Sequence, residues 1–151
     1  MLEVGQKAPD FNLLDENGEN MSLSTFKGKN IVLYFYPKDD TPGCTKESIA
    51  FSELKNEFEA NNTVMLGASK DSVKKHQNFI KKFDFPFPLL ADTEQEVLNL
   101  YGVWGEKQMY GRKYMGVFRT TFIIDEKGVI EKIFTKVKTA AHTEQILEGV
   151  S

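Results

Sequence analysis

The run Ile31-Val32-Leu33-Tyr34-Phe35-Tyr36, followed by Pro37-Lys38-Asp39-Asp40-Thr41-Pro42-Gly43-Cys44-Thr45-Lys46-Glu47, decides how this chain folds. Its first part mixes β-branched, aliphatic and aromatic side chains without polar alternation, which predicts a central strand buried on both faces. Pro37 stops the strand, and Lys38 to Gly43 form a polar loop rich in proline and glycine. A helix then begins: Thr41 can cap it, and Pro42 stands at the first helical position, where its missing N–H costs nothing. Cys44 falls in the first turn, near free backbone N–H groups and the positive end of the helix dipole. Both favour thiolate over thiol, and the thiolate is the nucleophile. Ile49, Phe51, Leu54 and Phe58 carry an approximate helical stripe on to about Ala60.

Further elements read outward from this unit. Upstream, Phe11–Leu14 and Met21–Ser24 flank the turn signal Asp15-Glu16-Asn17-Gly18, which predicts a hairpin. Downstream, Thr63–Ser69 is a second buried strand, and Asp71 or Ser72 can cap a helix running to about Phe83. Phe85-Pro86-Phe87-Pro88 must be extended, because proline biases its predecessor away from helix. Leu89–Ala91 is a short strand, with a helix over Thr93–Tyr101 that Asp92 can cap. Thr120–Ile124 and Val129–Thr135 form a hairpin around Asp125–Gly128, and a last helix starts near Thr139. The order predicts an α/β sandwich with one mixed central sheet flanked by helices, a thioredoxin-like core with an N-terminal β-hairpin extension.

The chain has 151 residues, enough for a single domain over 1–151 with its own core. Hydrophobic residues are 40% and charged residues 27%, the balance of a globular protein rather than a disordered one. A formal charge of −3 argues against nucleic acid as the partner, since that affinity comes from clustered cations. No run approaches the roughly 20 apolar residues of a membrane helix, and no signal core is present, so a cytoplasmic protein is expected. Cys44 is the sole cysteine, which excludes an intrachain disulfide. With only His76 and His142 besides, a Cys/His zinc site lacks ligands, and no phosphate-binding glycine loop is found; neither metal nor cofactor is expected. Both histidines sit in charged, polar helices and read as surface residues, and Phe79 to Phe87 read as core.

The spacing Pro37, three residues, Thr41, two residues, Cys44 resembles the peroxiredoxin signature. Ala8-Pro9-Asp10-Phe11 resembles that family's N-terminal element. Val103-Trp104-Gly105-Glu106-Lys107, Met109-Tyr110-Gly111 and Arg119-Thr120-Thr121-Phe122-Ile123-Ile124-Asp125 resemble its bacterioferritin comigratory, or Q-type, branch. The resemblance spans about residues 4–147. It implies peroxide reduction by Cys44 through a sulfenic acid. Thr41 would orient the peroxide, the N–H groups of Gly43 and Cys44 would add donors, and Pro37 would shape the loop and shield the sulfur. Arg119 is the expected cation. Of 19 lysines and arginines only Arg112 and Arg119 are arginine, so a planar multi-donor fork stands out against a lysine background. Arg112 reads as an ordinary loop charge. Glu47 could hold Arg119 in place or be an unremarkable surface glutamate. Trp104 and Tyr110 either line the approach to the pocket or, the favoured reading, pack under a loop.

Many members of that branch carry a resolving cysteine five residues after the first, where this chain has Ile49. The chain thus resembles a one-cysteine variant recycled by an external thiol, either a thioredoxin-type protein or a small thiol. A monomer or weak homodimer is expected. Two other classes stay open: a peroxide sensor or relay that passes its oxidation to a partner protein, and a non-catalytic binding or chaperone module.

Overall fold

The computed structural model describes residues 2–135 and residue 146. Its frame is a sheet built on the strand that leads into the Cys44 loop. Strand β3 (Asn30–Phe35) runs parallel to β4 (Thr63–Ser69), which runs parallel to β5 (Leu89–Ala91). On its other side β3 pairs antiparallel with β8 (Thr120–Ile124), which pairs with β9 (Ile130–Thr135). The N-terminal hairpin, β1 (Leu13–Leu14) and β2 (Asn20–Met21), adds to the opposite edge through Leu14 beside Ala91. The sheet is mixed and seven-stranded, in the order β2-β1-β5-β4-β3-β8-β9. The chain has the expected thioredoxin-like α/β fold.

Alternation along β3 divides the core. Ile31, Leu33 and Phe35 point to one face, with Leu66, Leu90, Phe122 and Tyr101. Val32, Tyr34 and Tyr36 point to the other, with Phe51, Phe58, Phe79 and Leu89. Helices α1 (Pro42–Glu53), α2 (Lys55–Ala60) and α3 (Val73–Phe83) contribute to the second face, and α4 (Glu96–Leu100) to the first. Each fully buried side chain of this size contributes roughly 1.5–3 kcal/mol. Cys44 lies in the second cluster, at the point where β3 hands over to α1.

The structure amends several sequence expectations. The helix expected from Cys44 to Ala60 is two helices, broken at Leu54, whose ψ of 7° leaves the helical range. The helix expected from Thr93 starts at Glu96: Asp92 does receive the Leu98 N–H at 2.7 Å, but a turn through Gln95 (φ +56°) intervenes. Ser22–Ser24 leave the second strand of the N-terminal hairpin, and Leu23–Phe26 form a 3-10 turn. A hairpin with no sequence expectation, β6 (Trp104–Met109) and β7 (Arg112–Val117), forms a separate two-stranded sheet. Tyr110 and Gly111 both have positive φ (52° and 76°), the primed-turn geometry that matches strand twist. The last helix and His142 lie outside the described residues, save Ile146, which is helical and buried. No helix among the described residues is long and apolar enough to cross a membrane.

Candidate active site

Register brings the distant residues together. Because β8 runs antiparallel to β3 with Thr120 beside Phe35, Arg119 sits next to the end of β3, where the loop to Cys44 begins. Its guanidinium spans two acceptors: Nη2 donates to Cys44 Sγ at 3.1 Å and Nη1 to Glu47 Oε1 at 3.0 Å. Cys44 and Glu47 lie three residues apart, so both reach the same side of α1. Cys44 and Glu47 are buried, and Arg119 keeps part of its side chain open to solvent. Gly43 adjoins the same group; a Cβ there would stand 3.5 Å from Arg119 Nη2, an ordinary contact.

Glu47 is a costly residue to place here. Among the described residues its Oε2 has no hydrogen-bond partner. Burial pushes its carboxyl up to about 7, and the attraction of Arg119 offsets only part of that. Arg119 is shifted upward: burial disfavours its charge, but the facing Glu47 and Cys44 outweigh it.

The loop adds its own polarity. Pro42 occupies the first position of α1, and Thr45 N–H makes the first intrahelical bond, to Thr41 O at 2.8 Å. The amides of Gly43 and Cys44 precede that bond and have no intrahelical acceptor. Thr41 is the N-cap by backbone conformation, but its hydroxyl does not cap. It donates instead to the Lys38 carbonyl at 2.9 Å, leaving the oxygen's lone pairs free and the Gly43 and Cys44 amides without a side-chain acceptor. Pro37, half-buried, directly follows the strand.

Other expectations fare differently. Trp104 is half-buried against the first core face, with Lys70 Nζ 5.6 Å from its ring centroid. Tyr110 does not pack under a loop: it stands 97% exposed at the β6–β7 turn. Arg112 is exposed. The reading of His76 as a surface residue is wrong. Its ring is fully buried, with Nδ1 2.6 Å from Asp39 Oδ2 and Nε2 2.9 Å from the Leu90 carbonyl. The signal was present in the helix period: Val73, His76, Ile80 and Phe83 fall on one stripe of α3. Asp39, in a polar loop, is buried as well, which its neighbours Lys38 and Asp40 give no sign of. Among the described residues no cluster of three or more His, Cys, Asp or Glu could hold a metal ion.

Residues 4–133 match the AhpC/TSA family. A putative peroxiredoxin bcp of Coxiella burnetii is 50% identical over 146 residues, covering 97% of each chain. The solved bacterioferritin comigratory protein of Xanthomonas campestris, described for its alkyl peroxide reduction activity, superposes with a TM-score of 0.91. It is 36% identical and covers 98% of this chain and 97% of its own. A yeast mitochondrial 1-Cys peroxiredoxin, solved to explain thiol resolution by the glutathione and thioredoxin systems, has a TM-score of 0.83 and 30% identity. It covers 97% of this chain and 74% of its own. With Cys44 as its sole cysteine, the chain belongs to the AhpC/TSA family, as a one-cysteine member of its bacterioferritin comigratory, or Q-type, peroxiredoxins.

Proposed function

We propose that Cys44 reduces hydrogen peroxide and organic hydroperoxides as follows. The sulfur attacks one peroxide oxygen in line with the O–O bond. A sulfur–oxygen bond forms, the O–O bond breaks, and the departing oxygen leaves with the electron pair and takes up a proton as water or alcohol. Sulfur is oxidised to a sulfenic acid. Arg119 holds the sulfur with one nitrogen and faces the reacting oxygens with its remaining donors, while Glu47 fixes its plane. The Gly43 and Cys44 amides receive the charge growing on the leaving oxygen. Thr41, its proton committed to Lys38, accepts from the peroxide O–H and sets its direction. Pro37 shapes and shields the pocket. The observation that carries this reading is the Arg119 fork bridging Cys44 Sγ and Glu47 Oε1.

Recycling follows from Cys44 being the sole cysteine. An external thiol condenses with the sulfenic acid, releasing water and forming a mixed disulfide. A second thiol attacks that disulfide, restoring Cys44 and leaving with the first as a disulfide. The similarity to a one-cysteine peroxiredoxin described for such resolution supports a thioredoxin-type protein or a low-molecular-weight thiol as reductant. The same reading makes the protein a cytoplasmic enzyme, where such thiols are kept reduced, working as a monomer or weak homodimer. Peroxide consumption with a panel of reductants tests it. Turnover should appear with at least one of them and vanish in Cys44→Ser. No consumption with any reductant would leave a binding module. Formation of a mixed disulfide with one specific protein, with generic thiols inactive, would indicate a relay.

A further inference from the structure

We infer that His76 is a positioning residue for peroxide reduction, acting through Asp39 on the loop that carries Pro37 and Thr41. The inference rests on the peroxide-reducing role of Cys44. Asp39 sits in the middle of that loop and is buried, between exposed neighbours Lys38 and Asp40. A buried carboxylate must be matched by partners, and every polar group of Asp39 facing inward has one. Oδ1 accepts from the Tyr36 hydroxyl at 2.5 Å, and Oδ2 meets His76 Nδ1 at 2.6 Å. The backbone N–H donates to Asp71 Oδ2 at 2.8 Å, an oxygen that also receives the Ser69 hydroxyl at 2.7 Å.

The second nitrogen of His76 settles what the ring does. Nε2 lies 2.9 Å from the Leu90 carbonyl, which can only accept, so Nε2 carries a hydrogen. The Nδ1–Oδ2 contact then holds one further proton, shared by the pair. The imidazole is therefore a buried strut between the Cys44 loop and β5. Tyr36 follows β3 and Ser69 ends β4, so the loop is fastened to the C-terminal ends of all three parallel strands.

That fastening holds a tight turn in place. Asp40, the next residue, has φ +58°, a left-handed conformation that costs a side-chain-bearing residue more than glycine, though aspartate less than most. Thr41 follows, and its hydroxyl bonds to Lys38 of the same loop. The direction of that hydroxyl is therefore set by the loop, and the loop is set by Asp39.

The test uses the full-length chain in four forms: wild type, His76→Leu, Asp39→Ala and Asp39→Asn. Each is measured for oxidation of Cys44 by hydrogen peroxide, for alkylation of Cys44 by iodoacetamide, which needs no oriented O–O bond, and for exchange of the residue-39 amide. His76→Leu and Asp39→Ala should lose at least about tenfold in peroxide rate, the scale expected of misplaced groups. Their alkylation rates should stay within about twofold of wild type, so that accessibility and general misfolding are excluded as causes. Their residue-39 amide should exchange at least about tenfold faster. Asp39→Asn should recover most of the loss, since its amide can donate to an unprotonated Nδ1 while its oxygen accepts from Tyr36. A wild-type peroxide rate in His76→Leu, parallel loss of both rates, or Asn no better than Ala would overturn the inference. Should His76→Leu not fold, the two Asp39 variants decide. Absence of peroxide reaction in wild type would overturn the role of Cys44 itself, while the amide exchange would still report whether the strut holds.

Discussion

Arg119 serves Cys44 and Glu47 with separate nitrogens, and a lysine ammonium at that distance can satisfy only one of them well. Arg119→Lys should therefore slow oxidation of Cys44 at least about tenfold, or about 1.4 kcal/mol of barrier. Arg112→Lys, on the exposed β7, should change it little. Stopped-flow oxidation of both variants checks this; equal behaviour would remove Arg119 from the reaction. Glu47 makes a separate prediction. Between the ordinary value of 4.5 and about 7, the folded protein keeps a proton that the unfolded chain has released. The contribution of this group to stability is thus full below 4.5 and lost as pH rises toward about 7. Urea midpoints of wild type should fall across that window relative to those of Glu47→Gln, where this component is absent. Superimposable curves would mean that Glu47 ionises as an ordinary carboxylate.

At the scale of elements, β3 and β4 must lie close enough for Tyr34 to reach the helices. Tyr34 stacks on Tyr36, packs tilted against Phe51 and shares a hydrogen bond between its hydroxyl and that of Ser48 of α1 at 3.0 Å. Gly67, beside Tyr34 in the β3–β4 register, makes that room. A Cβ at Gly67 would lie 2.7 Å from Leu89 Cδ2 and 2.8 Å from Tyr34 Cζ. Gly67→Ala should cost about 1–3 kcal/mol by overpacking, read as a lower melting temperature. Because Ser48 neighbours Glu47, the same variant should also slow Cys44 oxidation. An unchanged melting temperature would show that β4 can yield without cost. The regular elements were legible where local signals agreed. Thr63–Ser69, Val73–Phe83 and Leu89–Ala91 carry continuous apolar runs or a capped stripe, and all three form as read. The β6–β7 hairpin was not, because Lys107, Gln108, Arg112 and Lys113 give it no apolar alternation.

At the scale of the whole molecule, the proposed recycling by an external thiol should set the kinetics. A resolving cysteine on the same chain would act at an effective concentration no dilute thiol matches. Here Ile49 stands at that position, 38% exposed on α1 while Cys44 is buried. After one equivalent of peroxide without reductant, the chain should gain about 16 Da as a sulfenic acid that dimedone traps. At low reductant, turnover should rise nearly linearly with thiol and depend weakly on peroxide, with sulfinic acid accumulating as peroxide increases. Mass spectrometry of spent enzyme checks both. Saturation at micromolar thiol without sulfinic acid would instead indicate a dedicated reductant-binding site.

What the sequence determined by itself was local or categorical. A buried strand running into a helix start with proline at its first position put Cys44 in the first turn, and the lack of a second cysteine excluded an intrachain disulfide. Two arginines in a lysine background, one of them matched to a family motif, selected Arg119 over Arg112. The tertiary structure decided which charges became internal. The β3–β8 register, not any nearby residue, brings Arg119 to Cys44 across 75 positions of sequence. The parallel strand ends likewise turn His76 and Asp39 inward as partners. Burial of a polar side chain depends on what packs over it from elsewhere in the chain. Local composition does not encode that, so His76 read as surface until the sheet and α3 closed around it.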